Sequence, residues 1–152
     1  MKLLLIALIL IVGNAFADTS STDVPAPIKG TLEKNILAAN TGDLDAYMST
    51  IHTNSEGYSR TQVLMRDLFN RYDLRNTILS MQYEGGDDEY GFVRVRFTTE
   101  KIKGPDFQNT SNDVLFIFRK LNSEWKLWNQ SILETTGKEF VPNKAVEGMA
   151  PR

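Results

Sequence analysis

The sequence predicts an α+β domain in which helices come first and an antiparallel meander of about four strands follows, the helices covering one face of the sheet. Two observations carry this. Apolar residues recur at helical spacing as far as Tyr72, and at a spacing of two from Thr77 onward. Between these runs stand Asn40-Thr41-Gly42, Gly85-Gly86-Asp87-Asp88 and Asn122-Ser123, residue types that stop helices or turn chains.

The elements follow in order. Ile28, Leu32, Ile36 and Leu37 define an apolar stripe on a helix over 28–39, stopped by Gly42. Asp43 caps a short second helix on which Leu44, Tyr47, Met48 and Ile51 share a face, with His52 at its end. Ser59-Arg60-Thr61-Gln62 fits a capping box for a third helix, and Tyr58 and Val63 stand where a hydrophobic staple belongs. Leu64, Leu68 and Tyr72, flanked by Met65 and Phe69, predict its buried stripe, and Asp67 with Arg71 an exposed pair one turn apart. In the first strand, 77–83, alternation puts Leu79, Met81 and Tyr83 on one face. In the second, Val93, Val95 and Phe97 alternate with Arg94, Arg96 and Thr98. After a polar connection comes VLFIF, 114–118, apolar at every position and so expected to be covered on both faces. Trp125 to Leu133 closes the sheet.

The ends of the chain concern export. Residues 1–17, MKLLLIALILIVGNAFA, combine Lys2, an apolar run from Leu3 to Val12 and the small-x-small pattern Ala15-Phe16-Ala17, and so predict a signal peptide cleaved after Ala17. That run is half the length of the about 20 residues a spanning helix requires, so no membrane span is expected after cleavage. The expected location is periplasmic or secreted. Residues 18–27 read as a Ser/Thr/Pro-rich linker, 28–133 as the domain and 134–152 as a C-terminal tail. The chain has 17 Lys+Arg against 19 Asp+Glu and no basic stripe, which argues against a nucleic-acid partner. It has no cysteine, hence neither a disulfide nor a thiol-attached lipid.

The run ILAANTGDLDAYMSTI, a following helix, strongly alternating strands and the closing WKLWNQSIL together resemble the nuclear transport factor 2-like superfamily, in particular its SnoaL-like, polyketide-cyclase-related branch. The resemblance covers nearly all of 28–133. It implies a cystatin-like α+β cone, with a strongly bent antiparallel sheet wrapped around N-terminal helices, a cavity inside and dimers through the outer sheet face. The segment TNSEGYSRTQVLMRDLFNRYD departs from simpler members, which places the cavity mouth in a different setting.

Catalytic relatives of this fold use acid–base pairs of Asp, His or Tyr inside the cavity. His52 is the only histidine of the chain, and no partner for it is recognisable. It reads as a helix-end or cavity-rim residue, its charged form favoured by the helix dipole, rather than as a base. Asp87-Asp88-Glu89 lacks the alternating ligand spacing of a calcium loop, and no cluster with metal-ligand spacing occurs; no metal and no cofactor is expected. Strand phase places Thr99 with Val93, Val95 and Phe97, and Asn129 with Trp125 and Leu127. With Tyr47 and Tyr72 these are the candidate polar groups of an apolar ligand pocket. For either tyrosine the competing reading is a core aromatic with its hydroxyl at the surface.

Three functions remain open on this reading. The first is a non-catalytic domain that binds a small apolar or amphipathic ligand, or a protein partner. The second is a SnoaL-like lyase, isomerase or hydrolase with His52 as base and Tyr47 or Tyr72 as hydrogen-bond donor. The third is a structural dimer module. Trp128, opposite in phase to Trp125 and Leu127, predicts a homodimer through the outer sheet face, with Trp128 near its centre and Arg94 and Arg96 toward its rim.

Overall fold

The computed structural model describes residues 23–137, so the expected signal peptide and all but the first residues of the tail, including Phe140 and Val141, lie outside the described residues. Three helices, α1 (Ala26–Thr41), α2 (Leu44–Met48) and α3 (Tyr58–Arg71), precede four strands, β1 (Asp73–Gly86), β2 (Tyr90–Lys103), β3 (Thr110–Leu121) and β4 (Glu124–Thr136). The strands form one antiparallel sheet in sequence order, as expected. β4 runs past Leu133, where the tail is expected to begin. Among the described residues no helix is long and apolar enough to cross a membrane.

α1 packs through Ile28, Leu32, Asn35 and Ala38, which recur every three or four residues on one face. Leu37, expected in that stripe, is instead exposed. Close approach to the sheet depends on Gly91, where an added Cβ would lie 2.6 Å from Ile28 Cδ1. Gly42 ends the helix in the left-handed region at φ 67°, its N–H donating to the carbonyl of Ala38. Asp43 caps α2 as its position predicts, accepting from the amide of Ala46 at 2.9 Å. Ile28, Leu32, Val93, Val95 and Phe118 form the centre of the core, with Met48, Ile51 and Leu127 at its edge.

The third helix departs from expectation. It begins at Tyr58 with Gly57 as N-cap and no side-chain cap, so Ser59 lies inside the first turn and no capping box forms. Val63 is exposed and makes no staple. None of its residues is fully buried, and Leu64 is 43% exposed. The Arg71–Asp67 pair, at 3.2 Å, is as expected, and so is the burial of Tyr72 just past the end of the helix.

β-Bulges correct the strand phases. In β1, Ile78 pairs with Phe97 and Ser80 with Arg96, so Leu79 is the extra residue. Leu79 is thereby turned out to solvent, and Ile78 replaces it on the inner face beside Met81 and Tyr83. In β4, Phe118 pairs with Leu127 and Ile117 with Asn129, which leaves Trp128 as the extra residue and reverses the phase beyond it. The VLFIF strand splits: Val114, Phe116 and Phe118 are buried, whereas Leu115 and Ile117 are only half covered.

Candidate functional site

The bent sheet, α1 and α3 enclose a cavity of about 370 Å³. Its floor is apolar, with Phe97, Val114 and Phe116 from β2 and β3, and its roof is Leu64, Met65, Leu68 and Phe69 from α3. The incomplete burial of α3 follows from this placement, since its apolar stripe faces empty space rather than packed side chains. A volume in this range suits a small organic ligand.

Polar groups enter the cavity in three places. Asn40, at the end of α1, hydrogen-bonds β1 like a neighbouring strand: its Oδ1 accepts from the Asn76 amide at 2.7 Å and its Nδ2 donates to the Asn76 carbonyl at 2.9 Å. Thr99 Oγ1 then donates to Asn76 Oδ1 at 2.8 Å, which fixes Asn76 and Thr99 on the cavity wall. At a second point, Asn112 Nδ2 donates to Thr110 Oγ1 at 3.0 Å and Asn112 Oδ1 accepts from Thr135 at 3.1 Å. The third group is Tyr47 with Asn35 and Gln130. Asn35 is locked by its bond to Thr50 Oγ1 at 2.7 Å. Burial raises the Tyr47 phenol above its ordinary range, and a hydrogen bond with Asn35 offsets part of this. The phenol is therefore a neutral group able to donate or accept a hydrogen bond. Among the described residues, no lining residue of this cavity carries a carboxylate, an imidazole, an amine or a guanidinium.

Of the predicted pocket residues, the structure brings Tyr47 and Thr99 to this cavity. Tyr72 is buried elsewhere, 6.2 Å from the Phe107 ring and against Gly104. Asn129 is displaced by the bulge at Trp128: it pairs with Ile117 and lines the neighbouring cavity, and Gln130 takes its place on the wall of this one. His52 lies beyond the end of α2, not at it. Thr50 to His52 run beside β4, with the Leu127 amide donating to Thr50 O and the His52 amide to Leu127 O, both at 2.8 Å. The imidazole is 3% exposed, meets the Trp128 ring edge-on at 4.8 Å, and accepts from the Asn54 amide through Nδ1 at 3.1 Å. Nε2 faces the Lys120 carbonyl at 3.4 Å. His52 lines neither this cavity nor its neighbour. The amides Asn35, Asn76, Asn112 and Gln130 are absent from the sequence-based set. Asn35 alone left a legible signal, a polar residue in phase with Ile28 and Leu32.

A second cavity of about 520 Å³ adjoins the first, both being lined by Tyr47 and Gln130. Its remaining walls come from the loop between α2 and α3, with Ser55 and Glu56, from Thr61 in the first turns of α3, and from Leu127, Trp128 and Asn129 of β4. Among the described residues no group of His, Asp or Glu side chains is placed to hold a metal ion, and Asp87 instead caps its own turn by accepting from the Glu89 and Tyr90 amides.

Helices seated in a bent four-stranded sheet around a side-opening cavity define the nuclear transport factor 2-like, cystatin-like class. Solved structures agree. A scytalone dehydratase-like protein of Novosphingobium aromaticivorans has a TM-score of 0.64 at 9% identity, over 82% of this chain and 93% of that one. A cystatin-like protein of Caulobacter vibrioides has 0.62 at 8%, over 71% and 88%. An NTF-2 like protein of Shewanella oneidensis has 0.55 at 18%, over 68% and 93%. At these identities the likeness is one of fold. Within the class, the chain belongs to the family described as the C-terminal domain of anti-sigma-I factor RsgI9, which matches residues 30–138. No curated protein matches the chain in sequence.

Proposed function

We propose that this is an exported, non-catalytic domain that binds a small uncharged, apolar or amphipathic molecule in the cavity beneath α3. The observation that carries the reading is the lining: aromatic and aliphatic walls with amides, hydroxyls and one neutral phenol. Acid–base catalysis needs a group that exchanges protons near neutral pH, and a phenol raised by burial is poorly suited to that task. The SnoaL-like alternative, with His52 as base, is disfavoured because the imidazole is enclosed by Trp128, Asn54 and the Lys120 carbonyl and lines neither cavity. Membership of a family named for an anti-sigma factor supports a sensing role, in which ligand occupancy is relayed to a protein partner.

The export reading rests on residues 1–17, with 18–27 as the linker. A homodimer through the outer sheet face is part of the same proposal, supported by half-covered Leu115 and Ile117 on that face. Trp128 would then lie off centre, since Arg119 already stands 4.7 Å from its ring and His52 meets its edge.

The test is fluorescence titration with N-phenyl-1-naphthylamine, a neutral apolar probe, on wild type and on Ala39→Phe, which fills the cavity from α1. Saturable binding that Ala39→Phe abolishes is expected. Binding unaffected by Ala39→Phe, or none to the wild type, would overturn the reading.

A further inference from the structure

Resting on the binding reading, we propose that the ligand is an amphiphile whose apolar body occupies the cavity beneath α3 and whose cationic head, an ammonium group, stands in the adjoining cavity against Glu56. The two cavities are neighbours that share Tyr47 and Gln130 as lining residues, and the proposed ligand passes these two side chains to occupy both. Their chemistry differs. Among the described residues, the first has no ionisable side chain except the neutral phenol of Tyr47, and the second has one charge, the Glu56 carboxylate, and no lysine or arginine.

Glu56 has no ion pair or hydrogen bond among the described residues. Its neighbours suit an ammonium donor: the hydroxyls of Ser55 and Thr61 and the amide oxygen of Gln130 are all able to accept. The side-chain amide of Gln130 likewise has no internal partner among the described residues. The positive charge nearest the Trp128 wall is Arg119, which is already paired with Glu89 through Nε at 2.7 Å. An anionic head would face Glu56 with no cation in the lining to offset it, and a neutral head would gain no ion pair from the carboxylate.

Calorimetric titration of the purified protein with decylammonium, decanol and decyl sulfate, each below its micellar concentration and at low salt, tests this. An exposed ion pair is worth roughly a threefold gain in affinity, and the reversed charge a comparable loss. Decylammonium should therefore bind about threefold tighter than decanol and about tenfold tighter than decyl sulfate. Glu56→Gln, a change in an exposed loop, should bring the three within about twofold of one another. Equal binding of all three by the wild type, or an ammonium preference that survives Glu56→Gln, overturns the head-group assignment and leaves the cavity reading intact. If none binds, or if Ala39→Phe leaves their binding unchanged, both fall.

Discussion

The two ends of the sheet share strands but not a core. Where α1 crosses it, Ile28, Leu32, Val93, Val95 and Phe118 are essentially inaccessible, and the tip of the Ile28 side chain reaches to 2.6 Å from where a Cβ on Gly91 would stand. Where α3 crosses it, no helical residue is buried, Ile132 of β4 is 56% exposed, and the space between helix and strands is open. A domain this small has little apolar surface to spare, and here it concentrates close packing at one end so that the other can stay hollow. Stability and binding are accordingly expected to respond to different residues.

The largest effect should come from the packed end. Phe118→Ala removes a fully buried ring from a site lined by helix and sheet, and should cost about 3–5 kcal/mol in urea denaturation. A loss below about 1 kcal/mol would mean that this end is not close-packed and would dissolve the contrast.

His52 comes next. Its burial, its edge contact with Trp128 and its bond from the Asn54 amide make it a fastener for the segment that borders β4. His52→Ala should destabilise by about 1–3 kcal/mol, since it empties a buried site, loses an aromatic contact and leaves the part-buried Asn54 amide without its acceptor. Probe binding should stay within a small factor of wild type. A hundredfold loss of binding with stability unchanged would restore His52 as a functional residue.

The open end makes the opposite prediction. Leu68→Ala, on the roof of the cavity, should change stability by less than about 1 kcal/mol because the side chain is only partly buried and already borders empty space. Its effect should appear in the affinity for N-phenyl-1-naphthylamine, lowered about tenfold by the loss of apolar contact. A stability loss as large as that of Phe118→Ala would show that α3 is a core element after all.

This contrast explains which features were legible in the sequence. Order of elements, the stop at Gly42, the Asp43 cap, the alternation of β2 and the two-residue turn at Asn122 and Ser123, both with positive φ, are local, and local chemistry specified them. Leu79 and Asn129 were misplaced because a bulge adds one residue to a strand without changing its composition, and every residue beyond it changes face. The stripe of α3 was recognisable as amphipathic, but periodicity does not distinguish a helix packed on side chains from one suspended over a cavity. For the site, Tyr47 and Thr99 were within reach of phase counting. The amide groups Asn76 and Gln130 acquire their positions from partners, Asn40 and a bulge, that lie far off in sequence or leave no pattern in it.

The smallest effect concerns the convex face of the sheet. Arg94 on β2 makes a bidentate contact with Asp113 on β3, Nε to Oδ1 at 2.9 Å and Nη2 to Oδ2 at 2.7 Å. The hydrogen bonds from Arg94 hold the Asp113 carboxyl below its ordinary value, and the positive charge of Arg94 adds to this against a contribution from desolvation. A carboxyl whose folded value is depressed binds more protons in the unfolded chain at mildly acid pH. Its contribution is therefore full above the unfolded value, near pH 4, and is lost as pH falls through the lower folded value. The Arg94 side chain is 47% exposed, so solvent screens the pair and the gain is small. Asp113→Asn should melt slightly below wild type at neutral pH, and the two melting temperatures should converge as the pH drops below about 4. The gap at neutral pH should also narrow in high salt. A gap that persists unchanged at acid pH would mean that packing around Asp113, rather than its charge, joins β2 to β3 on this face.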